Sequence, residues 1–541
     1  MGNGASVQPS KTEQDMQRRM TLIESQNSLS SVPVVEECQS LSPKDLEAMK
    51  IDPKDYNFSF ENLVFEGGGS KGAAYVGALR YMEKIGMLRK IKRFAGSSSG
   101  AMCACYLAVG YGSEDISKFL EPKYISSVLN DNPWGVLSLV PNMVNHFGWK
   151  PTSKVYSEMG KHIEKKVGDA DITFKQLYKK KGIELCICVT NVNRMDVIFC
   201  HAKTTPHLSI RRAVCMSMSI PGYFQASKET LFGSMDVYVD GGLLCNYPIH
   251  CFDGWYLSLK PDDSFLTKFT PLSNLTKLYD QAIRFGGFNE KTLGFQVYSD
   301  YEQDLMKTEL DKRVGVLTPA KPSQDTKLYR KRVDMKKKQK KIEKIHACVM
   351  DAVNAFLVTI DKHNIADKAS LDLGELKLVF EDKESFTDKH CEILFGEVIS
   401  AEEAFDSLDK DEDGQVDFDE LMEFIQRTGI CMLDTFQGYS RQEISGFSSF
   451  VERVQNTILL NLKRVHANHG DYQRTVGINT GHIETVDFDN MVYADKKFIE
   501  ERGYNATKAF LQYHVIIKDM IPDVEIRRDS KPEVGNHMTG C

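Results

Sequence analysis

The stretch FSFENLVFEGGGSKGAAYVGALRYMEK spans residues 58–84 and joins an apolar run to a helical pattern through three consecutive glycines. The apolar residues between Phe58 and Phe65 predict a strand that ends at the glycines. From Ala73 to Ile85 apolar residues recur at three- and four-residue spacing, which is typical of a helix with one buried face. The order strand, glycine turn, helix is the unit from which α/β domains are built.

The same order repeats directly downstream. Residues 91–95 predict a second strand, Gly96-Ser97-Ser98-Ser99-Gly100 a second tight turn, and residues 101–109 an apolar helix. Further β-branched or apolar runs beside turn residues predict strands at residues 182–190, 195–200 and 237–239. The sequence therefore predicts an α/β fold with a mixed sheet.

The chain has 541 residues, more than a single hydrophobic core serves, so we expect two or more domains. Its 42% hydrophobic and 26% charged residues are typical of a soluble globular protein, and a net charge of −7 argues against a nucleic-acid partner. The 13 cysteines include no CxxC pair and the N-terminus has no apolar run, which predicts free thiols in the cytoplasm. No segment reaches about 18 consecutive apolar residues, so we expect any membrane contact to be peripheral.

The N-terminus offers one route to such contact. Met-Gly-Asn-Gly-Ala-Ser at residues 1–6 fits the M-G-x-x-x-S/T pattern for myristoylation of Gly2. The alternative is a tail that begins Met-Gly by chance. The polar residues 8–37 predict a tether with little structure.

The first glycine turn has the composition of an anion-binding loop. Without Cβ atoms, successive N–H groups can point to one place, and the helix that follows adds its positive end. The loop lacks the P-loop spacing, and a tight turn without a ligand stays the alternative. The candidate residues are Gly67, Gly68, Gly69, Ser70, Lys71 and Gly72.

The second turn, Gly96 to Gly100, matches G-x-S-x-G, the nucleophile elbow. Small neighbours allow the central serine to occupy a strained strand-to-helix turn with its hydroxyl exposed. Ser98 is therefore the candidate nucleophile, against the alternative of a Ser/Gly loop without function.

An elbow serine needs a base. Asp240 follows the strand predicted at residues 237–239 and precedes two glycines, which places a carboxylate at a strand end. In isolation this motif favours a hairpin turn. His250 lies further along the chain and leaves a conventional triad open as an alternative.

These three motifs, in this order, resemble those of the patatin-like phospholipases, whose pattern is G-G-G-x-R/K-G, G-x-S-x-G and D-G-G/A. Further likeness lies at Ser217 to Phe224 and at Asn246-Tyr247-Pro248. The resemblance implies a three-layer α/β hydrolase in which Ser98 attacks an ester carbonyl, Asp240 takes its proton and residues 67–72 form the oxyanion hole. Because an aspartate with a pKa of about 4 is a weak base at neutral pH, we expect Asp240 to be partly buried.

A calcium-binding motif follows. Residues 409–420 read Asp-Lys-Asp-Glu-Asp-Gly-Gln-Val-Asp-Phe-Asp-Glu and fit the EF-hand loop at every ligand position. The predicted calcium ligands are Asp409, Asp411, Asp413, the Gln415 carbonyl, Asp417 and Glu420, against the alternative of a solvated acidic loop. Residues 361–375 resemble a degenerate partner, with Leu371 and Glu375 near the apolar and final positions, from which we expect pairing without tight calcium binding.

The patatin resemblance continues beyond the calcium loop, at residues 474–480, 486–488 and 503–506, and precedes it at residues 289–295. A lysine- and arginine-rich run between Asp325 and Lys344 marks a boundary. We therefore expect a tail at residues 1–55, a patatin-like domain at 56–312 and 433–521, a basic helix with an all-α EF-hand insertion at 313–432, and a C-terminal tail at 522–541. Insertions are tolerated at surface sites whose ends are close.

The expected function is hydrolysis of phospholipid acyl esters at a membrane surface, regulated by calcium that takes no part in the chemical step. Lysophospholipid and neutral acylglycerol are the alternative substrates. A different class of function, a catalytically inactive calcium-sensing membrane adaptor, is opposed by the intact residues 67–72, Ser98 and Asp240.

Overall fold

The computed structural model describes residues 51–129, 138–300, 320–363, 370–427 and 469–518, together with residues 444, 454, 457–458, 461–462 and 520. The chain divides into two compact units. The large unit is built from the described residues of Cys38–Arg330 and Glu443–Cys541, and the small unit from those of Lys331–Gln442.

The strands are named in chain order. They are β1 (Asn62–Phe65), β2 (Arg93–Gly96), β3 (Gly148–Lys150), β4 (Glu184–Asn191), β5 (Asp196–Cys200), β6 (Gly222–Phe224), β7 (Ser227–Thr230), β8 (Met235–Asp240), β9 (Thr292–Tyr298), β10 (Ser370–Leu371), β11 (Val416–Asp417) and β12 (Thr475–Asn479). The strands predicted at residues 182–190, 195–200 and 237–239 are present as β4, β5 and β8.

A mixed sheet forms the centre of the large unit, in the order β12-β9-β1-β2-β4-β8-β7, with β5 also paired to β4. Strands β12, β9, β1, β2 and β4 run parallel to one another, with Leu63 opposite both Phe94 and Leu293. Strands β5 and β8 run antiparallel to β4, and β7 runs antiparallel to β8. A separate parallel pair joins β3 to β6. The fold class is therefore the predicted α/β class with a mixed sheet.

The helices of the large unit connect these strands and cover the sheet. They are α1 (Ala74–Lys84), α2 (Ser99–Val109), α3 (Ser113–Phe119), α4 (Pro122–Leu129), α5 (Leu139–His146), α6 (Ser153–Val167), α7 (Phe174–Lys181), α8 (Ile210–Ser217), α9 (Gly242–Cys245), α10 (Phe265–Lys268) and α11 (Gln281–Arg284). Short 3-10 helices lie at Pro53–Asp55, Gly69–Ala73, Met87–Lys90, Pro261–Asp263, Leu272–Tyr279, His469–Arg474 and Asp487–Asp489.

Both faces of the sheet are covered. Successive side chains of a strand point to opposite faces. On β1, Leu63 and Phe65 pack with residues of α1 and α2, whereas Val64 packs with Cys186 and Cys188 in a second cluster. The result is a layered α/β arrangement, which explains why β1, β4 and β9 are buried along their whole length.

The small unit is helical and has its own core. Its helices are α12 (Lys327–Lys362), which begins four residues before the unit, then α13 (Leu373–Glu381), α14 (Asp388–Phe395), α15 (Ala401–Leu408) and α16 (Phe418–Arg427). Phe356, Val379, Phe386 and Leu394 are among the residues that form its hydrophobic core. Leu371 of β10 pairs with Val416 of β11, so the predicted partner segment does contact the acidic loop, although residues 364–369 lie outside the described part.

The last helix of the large unit, α17 (Tyr493–Ile517), follows β12 and packs against α1. Residues beyond the small unit therefore complete both the sheet and its helical cover. Within the described residues, no helix is long and apolar enough to cross a membrane. The described cysteines are free thiols, and all of them except Cys348 are buried.

Candidate active site

The predicted elbow has the backbone of a strained turn. Strand β2 ends at Gly96 and α2 begins at Ser99, and between them Ser98 adopts φ 51° and ψ −124°. Such a conformation is costly for a residue with a Cβ and persists only where its surroundings hold it. The Ser98 N–H donates to Ser217 Oγ at 2.9 Å, and that hydroxyl donates to the Cys188 carbonyl at 2.6 Å. Ser217 of α8 and Cys188 of β4 thus hold the turn in place.

Asp240 is the last residue of β8, and the structure brings it to Ser98. Its side chain is buried, with 4% of the residue exposed. Oδ1 accepts a hydrogen bond from the Gly242 N–H at 2.7 Å. Oδ2 has no hydrogen-bond partner among the described residues. Burial raises the pKa of Asp240 to about 7, although the neighbouring Ser98 hydroxyl and the Gly242 N–H act in the opposite direction.

The glycine loop lies beside the elbow, because the two turns follow the adjacent parallel strands β1 and β2. Four of its N–H groups already have acceptors, namely Gly67 N to Asn246 O (3.0 Å), Gly68 N to Ser99 Oγ (3.0 Å), Ser70 N to Thr485 O (2.9 Å) and Lys71 N to Gly68 O (3.0 Å). Gly69, at φ 54°, begins the 3-10 helix that Gly72 continues, and Ser99 begins α2. The first N–H groups of a helix have no acceptor inside it. Gly69 and Ser99 are therefore the residues whose N–H groups suit a bound oxyanion.

An apolar cavity opens at Ser98, and the sequence did not reveal it. It is lined on α2 by Met102, Cys103 and Tyr106, which lie on one face of the helix. From Ser98 to Tyr106 this face extends about 12 Å at 1.5 Å per residue. Helices α3, α4 and α6, with Phe224 and Phe488, complete the wall. The spacing of the α2 residues was visible in the sequence, but their position over the other helices was not.

Aromatic side chains form part of the cavity wall, and polar groups lie beside them. Tyr106 OH lies 3.1 Å from His162 Nδ1, and the His162 ring stacks on Phe119 at 3.9 Å between ring centres. Tyr124 OH donates to Glu158 Oε2 at 2.9 Å. The cavity therefore offers mainly apolar surface to anything that enters beside Ser98.

His250, the alternative base, packs elsewhere. Its Nε2 lies 2.9 Å from Gln281 Nε2, and its ring contacts Phe199 and Phe285. Those two aromatic residues belong to the cluster that holds Val64, on the sheet face opposite the cluster of Leu63 and Phe65. This packing favours a structural role for His250.

The acidic loop of the small unit clusters its carboxylates. Oxygen atoms of Asp409, Asp411 and Asp413 all lie within 4.8 Å of one another. Asp409 Oδ1 is buried without a hydrogen-bond partner among the described residues. Glu420 folds over the loop, its Oε1 accepting the Lys410 N–H at 2.6 Å and its Oε2 the Asp417 N–H at 3.0 Å. Clustered hard oxygens with an unsatisfied buried carboxylate oxygen suit a calcium ion.

Three other predicted positions differ in how far the structure describes them. Gly2 lies outside the described residues. The basic run falls within α12, where Arg330 and Lys337 are exposed but Arg332 is buried. Gln415, a predicted carbonyl ligand, is exposed, and its side chain is hydrogen-bonded to Ser370 Oγ.

Comparison with known proteins finds similarity within the large unit. Residues 63–253 match the family model described as "Patatin-like phospholipase". Uncharacterized protein R571 of Acanthamoeba polyphaga mimivirus is 27% identical over 318 residues, which are 56% of this chain and 95% of that protein.

Two further relatives match over shorter stretches. Uncharacterized protein YqhO of Bacillus subtilis is 31% identical over 204 residues, 35% of this chain and 65% of that protein. Probable lipid hydrolase 463L of Invertebrate iridescent virus 6 is 28% identical over 199 residues, 36% of this chain and 65% of that protein. The chain thus spans just under two thirds of the length of these two relatives. The α/β fold is patatin-like, and residues 63–253 are similar to the patatin-like phospholipase family.

Proposed function

We propose that this protein is a lipid acyl-ester hydrolase in which Ser98 is the nucleophile and Asp240 the general base. The observation that carries the proposal is the buried carboxyl of Asp240, which lies beside Ser98, and Ser98 itself lines an apolar cavity. A base whose pKa lies near 7 is matched to proton transfer at neutral pH. The family match and the relative described as a probable lipid hydrolase support this reaction class.

The reaction follows from these positions. Ser98 Oγ attacks the ester carbonyl while its proton passes to Asp240 Oδ2. The N–H groups of Gly69 and Ser99 donate to the oxyanion of the tetrahedral intermediate, an interaction that is worth about 3 kcal/mol per donor in other enzymes. Asp240 then gives the proton to the departing alcohol, which leaves an acyl group on Ser98. Water then attacks the acyl group while Asp240 takes a proton from the water, the bond between the acyl carbon and Ser98 Oγ breaks, and Asp240 returns the proton to Ser98 Oγ as the fatty acid leaves.

The cavity supports an acyl chain as the group that enters beside Ser98, because its lining from Ser98 to Tyr106 is mainly apolar. We propose a phospholipase A-type substrate, with lysophospholipid and neutral acylglycerol as the other candidates. The test is fatty-acid release from vesicles of phosphatidylcholine, from lysophosphatidylcholine and from triacylglycerol emulsions. Release from the vesicles is expected. Release from the emulsion alone would assign the protein to neutral lipids, and release from none would reject the proposal.

We also propose that calcium binds the loop Asp409 to Glu420 and regulates hydrolysis from there. The small unit begins at Lys331 and ends at Gln442, so both of its ends are joined covalently to the large unit. An ion held by these carboxylates replaces the hydrogen bonds that Glu420 makes to the loop backbone. The proposed ester chemistry requires no metal, since nucleophile, base and oxyanion donors all come from the large unit.

Glu420→Gln should weaken calcium binding by about tenfold or more, because the final glutamate supplies two oxygens and a charge to the ion. The calcium response of hydrolysis should disappear while basal hydrolysis of a soluble ester is kept. Asp419→Asn is the matched control, since Asp419 is an exposed neighbour outside the ligand positions. Calorimetric titration and activity across calcium concentrations measure both effects. An undiminished calcium response in Glu420→Gln would place the ion elsewhere.

Peripheral membrane binding in the cytoplasm is proposed to need two signals, acylated Gly2 and the basic run of α12. A single myristoyl chain gives marginal attachment, and each basic residue near anionic lipid adds about 1 kcal/mol. Gly2→Ala and a variant with the lysines of residues 336–341 changed to glutamine should each reduce co-sedimentation with anionic vesicles, and together abolish it. If the combined variant sediments as the parent does, this proposal is wrong.

A further inference from the structure

We propose that Asn246, held by Glu66, is a positioning residue that fixes the glycine loop against the Asp240 turn. The inference rests on the proposed function, because the alignment of these two segments matters for the reaction only if Asp240 and the loop act as described above. Asn246 directly follows α9, the short helix that begins two residues after Asp240. It does not line the cavity, so it acts through its neighbours.

Asn246 holds Gly67 from both sides of the peptide backbone. The main-chain carbonyl oxygen of Asn246 accepts the Gly67 N–H at 3.0 Å. The side-chain Nδ2 of Asn246 donates to the Gly67 carbonyl oxygen at 3.0 Å. Gly67 precedes Gly69, whose N–H we assign to the oxyanion. Two hydrogen bonds to one residue fix the orientation of the backbone that enters the loop.

The side-chain oxygen of Asn246 occupies the space between the two segments. A Cβ on Gly67 would overlap Asn246 Oδ1, and a Cβ on Gly242 would lie only 2.7 Å from it. Gly242 is the residue whose N–H binds Asp240 Oδ1 at 2.7 Å. Both glycines are therefore needed for the amide to fit, and the amide in turn sets the spacing between loop and turn.

Glu66 connects this amide to the sheet. Its carboxylate is fully buried, with Oε1 accepting from Asn246 Nδ2 at 3.1 Å and Oε2 accepting from the Val297 N–H of β9 at 3.0 Å. The Tyr75 hydroxyl donates to the Glu66 carbonyl at 2.5 Å. Asn246 is thus anchored through Glu66 to β9, and the glycine loop is anchored with it.

The chemistry of both side chains is specific. Asn246 Nδ2 supplies two N–H donors, and an aspartate there would place a carboxylate oxygen against the Gly67 carbonyl and the Glu66 carboxylate. Glu66 accepts two N–H groups with two oxygens, and a glutamine could accept only one while its NH2 group faced the other donor. Substitutions of equal size therefore remove hydrogen bonds without opening a cavity.

Asn246→Asp and Glu66→Gln should each lower kcat on a soluble short-chain nitrophenyl ester by about 10- to 100-fold, because a misplaced oxyanion donor costs transition-state stabilisation. KM should stay within about twofold, since contacts with the ground-state ester do not change. The double variant should lose no more than the worse single variant, because both act on one loop. Asn246→Ala serves in place of Asn246→Asp if the latter does not fold.

Asn62→Ala is the matched control. Asn62 is the first residue of β1, the strand that Glu66 directly follows. Its Nδ2 donates to Thr292 Oγ1 of β9 at 3.0 Å, away from the glycine loop. It should lower the thermal unfolding midpoint while kcat is kept. If Asn246→Asp and Glu66→Gln also lower only the midpoint and keep kcat within about twofold, the positioning role is wrong. If Ser98→Ala keeps the activity of the parent, the proposed function has failed instead.

Discussion

Ser98→Ala should reduce ester hydrolysis by about 10⁴-fold or more and abolish labelling by a fluorophosphonate probe, because both reactions require the Ser98 oxygen as nucleophile. The fold should be kept. Only a hydroxyl is removed, and the hydrogen bond from the Ser98 N–H to Ser217 Oγ stays available to hold the turn. Titration of released fatty acid, gel detection of the probe and a thermal unfolding curve measure the three outcomes.

His250→Ala is the control for this experiment, because it removes the alternative base from its packing against Phe199 and Phe285. It should lower stability and keep most of the activity and labelling. A loss as deep as that of Ser98→Ala would return His250 to the catalytic site. Labelling of the Ser98→Ala variant at the rate of the parent would reject Ser98 as the nucleophile.

Asp240→Asn should lower kcat by about 10²- to 10⁴-fold, since the amide cannot accept the serine proton. In the parent, kcat/KM should rise with pH and level off above a midpoint near 7, because the base must be ionised to act and burial has raised its pKa to about 7. A parent profile that stays flat between pH 5 and 8 would contradict Asp240 as the base.

The same substitution should stabilise the fold at high pH. The pKa of Asp240 is higher in the folded protein than in the unfolded chain, so ionisation of this group lowers stability as pH rises from about 4 through 7. The loss is on the order of 4 kcal/mol above pH 7, and Asp240→Asn removes it. The unfolding midpoint of the variant should therefore exceed that of the parent at pH 8, with little difference at pH 4.

Asp236→Asn is the matched control on the same strand. Asp236 Oδ2 accepts from Asn191 at 2.9 Å and from Arg194 at 3.2 Å, and these partners lower its pKa. Removing its charge should decrease stability at pH 8 and keep activity. Equal effects of the two substitutions on stability would show that burial of Asp240 does not disfavour its charged form.

Much of the sheet could be predicted because its strands are locally encoded. Apolar runs that end at glycines or at Asp240 mark β1, β2 and β8 without any information from distant residues. The short strands β3 and β6 were missed, since each exists only through pairing with a partner more than 70 residues away. Local pattern carries no information about such a partner.

In the candidate site, too, local motifs could be predicted from the sequence, whereas features that depend on distant residues could not. The elbow motif placed Ser98, but the raised pKa of Asp240 depends on burial by several separate segments. The sequence predicts that the N–H groups of the glycine loop point together at one ligand. In the structure the N–H groups of four of its residues donate to acceptors in the protein, namely those of Gly67, Gly68, Ser70 and Lys71. Those acceptors include Asn246 and Thr485, which lie far away in sequence, so only the tertiary structure separates bonded donors from available ones.

The position of β12 has a consequence for biosynthesis. A ribosome delivers Ser98 and Asp240 early, then the whole small unit, and only afterwards residues 475–479, which cover the edge of β9, and Thr485, which accepts the Ser70 N–H. Until then β9 presents an unpaired edge, a segment that nascent chains must shield from aggregation. The nascent chain therefore carries Ser98 without the last support of its glycine loop until residues 475–485 have been synthesised.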